Sequence, residues 1–133
     1  MFIPMFVLVL LTFVVGGFTL FFRVKSVVNK QLSIKFFQTM QSEQVPQNVI
    51  KSTRCFNNLF EIPVLFYVVS SLYITQSIQN DLVLICAWGF VVSRVVQACI
   101  HLTNNNVIHR MLSFWLGCFF ILAMWINLLF YFL

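Results

Sequence analysis

The sequence predicts an all-α membrane protein, a four-transmembrane-helix bundle with up-down-up-down topology. Of the 133 residues, 61% are hydrophobic and only 8% are charged, whereas soluble domains carry roughly 25% charged residues. The apolar residues fall into four long runs. Each run has about 20 residues or more, which is enough to cross a hydrocarbon core of about 30 Å. Short segments connect the runs, as in antiparallel helical bundles.

The runs form a single domain, 1–133, whose spans are expected at about 1–22, 49–74, 82–101 and 110–133. The first run has no basic region ahead of it and is longer than a secretory signal, so we expect a retained span. Pro63 lies inside the second run and predicts a kink or a locally opened backbone, because proline lacks the N–H that a helix needs.

The basic residues set the orientation. Most of them lie in or next to the loops 23–48 and 102–109, whereas the loop between the second and third spans contains neither Lys nor Arg. These residues are Arg23, Lys25, Lys30, Lys35, Lys51, Arg54 and Arg110. Basic loops stay on the cytoplasmic side, so both termini are expected on the opposite side. The net charge of +5 therefore indicates membrane orientation and not nucleic-acid binding, and the lipid bilayer is the predicted partner.

Polar residues recur on one face of the second span. Arg54, Asn58 and Glu61 are spaced i, i+4 and i+7, which stacks them on one side of a continuous helix. A carboxylate in an apolar span is costly, so it needs a partner or a function. Arg94 in the third span is the candidate partner. We expect Glu61 and Arg94 to pair, either within one chain or across a subunit contact.

The third span carries a second polar face, with Arg94, Gln97 and His101 at i, i+3 and i+7. Together the polar faces predict a basic cleft that is open to the cytoplasm and to lipid. Arginine binds carboxylates through two parallel hydrogen bonds, so the expected ligand is anionic. The cleft would comprise Lys51, Arg54, Asn58, Gln97, His101, His109 and Arg110.

Purely structural roles stay open for the same residues: a clamp for Glu61 and Arg94, a bundle histidine for His101, and a membrane anchor for Arg110. The four cysteines are scattered without a CxxC spacing, so we predict no metal site and no disulfide framework.

The segment 54–63, RCFNNLFEIP, resembles the second-span motif of MAPEG, the membrane-associated proteins of eicosanoid and glutathione metabolism. The segment 94–110, RVVQACIHLTNNNVIHR, is similar to the corresponding stretch of prostaglandin synthase members, and all four spans agree in order and length. The pattern most resembles the bacterial branch of the family, which implies a multi-pass protein of the bacterial inner (cell) membrane.

The resemblance implies a homotrimer that binds glutathione at its subunit contacts and acts on a small lipophilic substrate. The expected activity is that of a glutathione transferase or peroxidase on lipophilic electrophiles or lipid hydroperoxides. By position, Arg110 matches the arginine that stabilises the glutathione thiolate. The implied glutathione-binding residues are Arg54, Asn58, Glu61, Arg94, Gln97, His101 and, more loosely, Arg23.

The chain departs from the family pattern at Ile62, where glutathione-using members often have tyrosine, and at Gln97 and His101. Two alternatives therefore stay open. One is a non-catalytic lipid- or ligand-binding membrane protein on the same scaffold. The other is a small proton-coupled exporter with Glu61 as proton carrier, although small four-span exporters carry their essential acid in the first span, which has none here.

Overall fold

The computed structural model describes residues 1–39 and 45–133. Within these residues, four helical segments are long and apolar enough to cross a membrane, which confirms the all-α, four-span membrane fold. Residues 40–44 of the predicted first loop lie outside the described residues. The helices are α1 (Phe2–Val28), α2 (Phe36–Thr39), α3 (Gln47–Asn58), α4 (Ile62–Thr75), α5 (Asp81–Leu102) and α6 (Val107–Phe132).

Helix α1 continues past the expected boundary at residue 22, because no glycine or proline interrupts the segment that follows. It ends at Asn29, whose backbone N–H donates to the carbonyls of Lys25 and Val27. Lys30 then adopts a positive φ of 55°, which turns the chain away from the helix. Lys25 in the last turn favours this end electrostatically, since the carbonyl end of a helix is partially negative.

The second span consists of α3 and α4, which are separated by a break at Leu59–Glu61. Pro63 lies in the first turn of α4 and has no N–H to offer the carbonyl of Leu59, so one helical hydrogen bond is missing there. Turn-type bonds replace the ladder, with Leu59 N donating to Phe56 O at 3.0 Å and Phe60 N to Asn57 O at 2.9 Å. The predicted opening of the backbone near Pro63 is confirmed.

Asparagine caps start both of the last two helices. The side-chain oxygen of Asn80 accepts from Leu82 N and Val83 N, and that of Asn106 accepts from Ile108 N and His109 N. These bonds satisfy backbone donors that a helix start leaves free. Helices α5 and α6 then form the most extensive helix pair of the bundle, and Gly89 allows the ring of Phe120 to approach the α5 backbone.

The bundle interior has an apolar half and a polar half. In the apolar half, the Tyr73 hydroxyl lies 2.9 Å from Asn127 Oδ1 and 3.1 Å from the Met124 carbonyl, which ties α4 to α6. The surrounding core comprises Leu8, Phe66, Val69, Phe90, Ile121 and Met124. The outer faces of the spans expose large apolar side chains such as Phe13, Leu82 and Trp115, as expected where lipid replaces water.

Candidate functional site

The basic side chains gather at one end of the bundle, where α1 and α5 finish and α3 and α6 begin. Arg23 Nη2 donates to Thr53 Oγ1 at 3.2 Å, which links α1 to α3. Lys51 Nζ lies 3.4 Å from the Thr103 carbonyl, which links α3 to the loop after α5. These contacts bring three spans together around the predicted cleft.

Arg94 is the most deeply buried charged side chain of this region, with 1% of its surface exposed. Its Nη2 donates to the carbonyls of Ser113 at 3.2 Å and Phe114 at 3.0 Å, both on α6. The guanidinium carbon lies 5.3 Å from the ring centroids of both Phe90 and Phe114, within the range of a cation–π interaction. Arg94 Nε and Nη1 are buried and have no hydrogen-bond partner in the described part of the chain.

The Glu61–Arg94 pair is not formed within the chain. Glu61 lies in the break before α4 with its side chain exposed. Among the described residues, the hydrogen bonds of the Arg94 guanidinium go to α6 carbonyls. The expected spacing assumed one continuous helix from Arg54 to Glu61. The break removes Glu61 from the face shared by Arg54 and Asn58, so the within-chain pair was a wrong prediction. A pair across a subunit contact stays a prediction.

His101 and Gln97 are also buried, with 1% and 7% of their surfaces exposed. Neither His101 Nδ1 nor Nε2 has a hydrogen-bond partner among residues 1–39 and 45–133. A small cavity of about 10 Å³ lies between α3 and α5 beside these residues. Its walls include Cys55, Asn58, Leu59, Arg94, Gln97 and His101.

Arg110 is half-buried in the first turn of α6. Its Nη1 donates to Asn105 Oδ1 at 2.7 Å, while its Nε is buried and finds no partner within the described residues. A helix start repels a cation, so the side-chain amide of Asn105 is what holds the guanidinium there.

The predicted site residues therefore divide by exposure. Arg94, Gln97 and His101 are buried in the wall between α3 and α5, whereas Arg54 and Glu61 are exposed. Asn58, Arg23 and Arg110 are half-buried. Of these predicted site residues, only the exposed and half-buried ones present side-chain atoms that a ligand outside the chain can contact directly.

Sequence reasoning missed three residues that shape this region. Thr53 accepts from Arg23, Asn105 accepts from Arg110, and Gly117 faces the Arg94 guanidinium. Asn105 could have been noticed in the sequence as a turn residue, because asparagine tolerates the left-handed backbone conformation. In the structure this residue has a φ of 52°. The roles of Thr53 and Gly117 depend on which helix faces which, and no local pattern gives that information.

A second, apolar cavity of about 640 Å³ lies between α1 and the α3–α4 break. The Gly16–Gly17 pair leaves one wall without side chains, and the added Cβ at Gly16 would stand 3.0 Å from the ring of Phe56. Leu59 belongs to the walls of both cavities, so one side chain separates the apolar from the polar space. The other walls include Thr12, Phe13, Leu20, Phe60 and Tyr67.

Four candidate membrane spans with arginines at one end of the bundle define a multi-pass integral membrane protein with a polar site at that end. The model of the MAPEG family matches residues 1–130 of the chain. The chain belongs to this family, whose members are four-helix membrane bundles and are generally associated with glutathione. No curated protein and no solved structure matches the chain.

Proposed function

We propose that the protein is a glutathione-dependent transferase or peroxidase that acts on lipophilic electrophiles or lipid hydroperoxides. The observation that carries this proposal is the pair of half-buried arginines, Arg23 and Arg110, at the same end of the bundle as the exposed Arg54. Each of the two has a buried Nε with no hydrogen-bond partner among the described residues. Guanidinium groups with free donors are suited to carboxylates and to a thiolate.

Arg110 is the residue that would activate the thiol. A free thiol has a pKa of about 8.5 and is mostly protonated at pH 7, and a fixed neighbouring cation favours the nucleophilic thiolate. In the transferase reaction the thiolate sulfur attacks the electrophilic carbon, the carbon–sulfur bond forms, and the leaving group departs with the electron pair. In the peroxidase reaction two glutathione molecules are oxidised to the disulfide, while the hydroperoxide is reduced to an alcohol and water.

The remaining residues would position the tripeptide. Arg54 suits a glutathione carboxylate, Glu61 suits the glutathione ammonium group, and Asn58 can hydrogen-bond a peptide group. Arg94, Gln97 and His101 lie behind this surface and would fix its shape without direct contact. This division follows from their exposure, and it changes the role of the buried three from ligand contact to positioning.

Glutathione is water-soluble, so the basic end of the bundle must face an aqueous compartment. The positive-inside rule assigns that end to the cytoplasmic side, with both termini on the other side. The lipophilic substrate would enter from the bilayer. MAPEG members are generally trimers, and a trimer would place the exposed Arg54 and Glu61 at contacts between copies of the chain.

The test is turnover by detergent-purified protein with glutathione and either a chloronitrobenzene electrophile or a lipid hydroperoxide. We expect Arg110→Ala to lower kcat/KM by about 100-fold, the usual cost of losing one donor to a developing anion. Lys25→Ala is the matched control, since it removes an exposed cation of α1 and should leave turnover unchanged. If the Arg110→Ala variant turns over at the wild-type rate, the role assigned to Arg110 is refuted.

A non-catalytic lipid- or ligand-binding protein is the second candidate, and the apolar cavity of about 640 Å³ favours it. Ligand pockets are typically about 300–1,000 Å³ and largely apolar. This candidate predicts lipid that co-purifies with wild-type protein and is lost from Gly17→Leu, which fills the open wall. It also predicts no glutathione-dependent thermal shift and no turnover, so the two candidates give opposite results in one set of measurements.

A further inference from the structure

A polar cavity of about 230 Å³ lies at the basic end of the bundle, between the end of α1 and the start of α3. Helix α1 and the turn after it contribute Lys25, Asn29 and Gln31 to its walls, and α3 contributes Gln47 and Asn48. None of these residues belongs to the proposed glutathione site, so the cavity is a separate feature of the molecule.

The turn after α1 folds back against α3, which gives the cavity a defined shape. Gln31 N and Leu32 N both donate to the Ser26 carbonyl, at 2.9 and 3.2 Å. Leu32 and Phe36 are buried together with Val49 of α3 in a small apolar cluster. Backbone hydrogen bonds and apolar packing therefore hold the two walls of the cavity together.

The length of α1 puts the cavity at the level of the lipid headgroups. Its 27 residues make a helix of about 40 Å, whereas the hydrocarbon core of a bilayer is about 30 Å thick. Helix α1 has no charged side chain before Arg23, so the excess length falls at the lysine end. Lys25 Nζ lies 5.7 Å from the ring centroid of the exposed Phe21. The ammonium group therefore lies where the apolar surface of the span ends.

The charge around the cavity favours an anion. Residues 1–39 contain Arg23, Lys25, Lys30 and Lys35 but neither Asp nor Glu, and the first acidic residue of the chain is Glu43. The described residues that line the cavity include no acid. An ammonium group offers three hydrogen-bond donors and each side-chain amide offers two, which suits the oxygens of a phosphate. Basic pockets and segments beside a membrane span attract anionic lipid headgroups.

The volume of the cavity suits a lipid headgroup. About 230 Å³ corresponds to roughly seven water molecules at about 30 Å³ each, which is comparable with a phosphate and the glycerol carbons attached to it. Phe22 and Val49 also line the cavity and give those carbons an apolar contact.

We propose that this cavity binds the phosphate of an anionic glycerophospholipid from the leaflet at the basic end of the bundle. Lys25 and the amides of Asn29 and Asn48 hold the phosphate, and the acyl chains lie along the exposed apolar surface of α1. The bound lipid ties the end of α1 to the start of α3, so anionic lipid stabilises this end of the protein.

The test is thermal unfolding of the detergent-purified protein without glutathione, titrated with phosphatidylglycerol, phosphatidylcholine or glycerol 3-phosphate. We expect phosphatidylglycerol to raise the midpoint in a saturable way, by about 4 °C at about ten times its Kd. Phosphatidylcholine has a cation beside its phosphate and should give a smaller shift. The proposal is overturned if both lipids act equally, if neither acts, or if glycerol 3-phosphate alone is as effective, because the site would then take a soluble phosphate.

Charge-matched variants separate the cavity from the general charge of the protein. Lys25→Gln and Lys35→Gln each remove one exposed cation, but Lys25 lines the cavity and Lys35 does not. We expect Lys25→Gln to raise the Kd for phosphatidylglycerol by about tenfold or more, and Lys35→Gln to leave it nearly unchanged. Asn48→Leu alters no charge and should also weaken binding. An equal loss in the two lysine variants would show that diffuse charge attracts the lipid, which contradicts the proposal.

Native mass spectrometry gives a direct readout of the retained lipid. Wild-type protein extracted from bilayers of equal parts phosphatidylglycerol and phosphatidylcholine should retain phosphatidylglycerol, whereas Lys25→Gln should retain the two lipids alike. Wild-type protein that retains both lipids equally would refute a specific headgroup site. Glutathione turnover in detergent without added lipid should be the same in Lys25→Gln and the wild type. A lost lipid effect is therefore distinguishable from a failure of the proposed function.

Discussion

Gly117 of α6 faces Arg94 of α5, and the absence of a side chain on the glycine leaves the space that the guanidinium occupies. A Cβ at Gly117 would stand 2.5 Å from Arg94 Nη2 and 2.7 Å from Ser93 Oγ. Because Arg94 also donates to the carbonyls of Ser113 and Phe114, the arginine fixes the separation of the two helices. Burial of the Arg94 charge and close packing of α5 against α6 therefore both depend on Gly117.

Gly117→Ala should destabilise the protein by about 1–3 kcal/mol, the usual cost of overpacking a well-filled interior. The new methyl group would displace the guanidinium from its two carbonyl acceptors. Gly17→Ala is a matched control in α1, since nothing lies within 4 Å of an added Cβ there. Thermal or denaturant unfolding in detergent measures both variants, and equal stability of the two would show that Arg94 has room to move.

Tyr73→Phe should lower the free energy of unfolding by about 1 kcal/mol, since it removes a buried hydroxyl that contacts Asn127 and the Met124 carbonyl. The loss also leaves Asn127 with only its 3.3 Å bond from Asn80. Tyr131→Phe makes the same chemical change at an exposed position and should have no effect. If Tyr131→Phe lowers the free energy of unfolding as much as Tyr73→Phe does, a specific role for the α4–α6 contact is excluded.

Asn105→Gly should reduce glutathione-dependent kcat/KM by about tenfold, because Arg110 loses the acceptor that holds it at 2.7 Å. Glycine accepts the positive φ of this position, so the backbone is not strained. The defect should be smaller than that of Arg110→Ala, which removes the cation itself. Asn104→Gly is the control one residue earlier, and a defect shared by both asparagine variants would point to the loop rather than to Arg110.

Asn106→Ala should destabilise the protein by about 1 kcal/mol, the typical cost of losing a side-chain cap. The Asn106 side chain accepts from Ile108 N and His109 N at the start of α6. Asn104→Ala keeps this cap and should unfold like the wild type. Hydrogen exchange of the α6 amides locates the effect, and protection that is unchanged in Asn106→Ala would show that the cap is dispensable.

The membrane fold could be predicted from the sequence because each of its signals is local. Continuous apolar runs specify the spans, and Pro63 specifies the break through its missing N–H. The resemblance of segment 54–63 to the MAPEG motif identified the family, which the match over residues 1–130 confirms. None of these signals needs knowledge of which helices are neighbours.

The interior of the site could not be predicted in the same way. The expected Glu61–Arg94 contact rested on a helical register that the break at Leu59–Glu61 interrupts, so a residue three positions after Asn58 no longer shares its face. The acceptors of Arg94 are backbone carbonyls, which every residue has and no motif reveals. The space at Gly117 exists only because α6 packs there against α5.

The break before Pro63 divides the second span into two helices, α3 and α4, in place of one continuous helix. Helix α4 is hydrogen-bonded to α6 through Tyr73. Helix α3, which carries Arg54 and Asn58, is hydrogen-bonded to α1 through Ser52 and Thr53. The two pieces of the second span are therefore held by different neighbouring helices, α3 by α1 and α4 by α6. A substitution at one of these contacts is thus expected to affect one half of this membrane crossing more than the other.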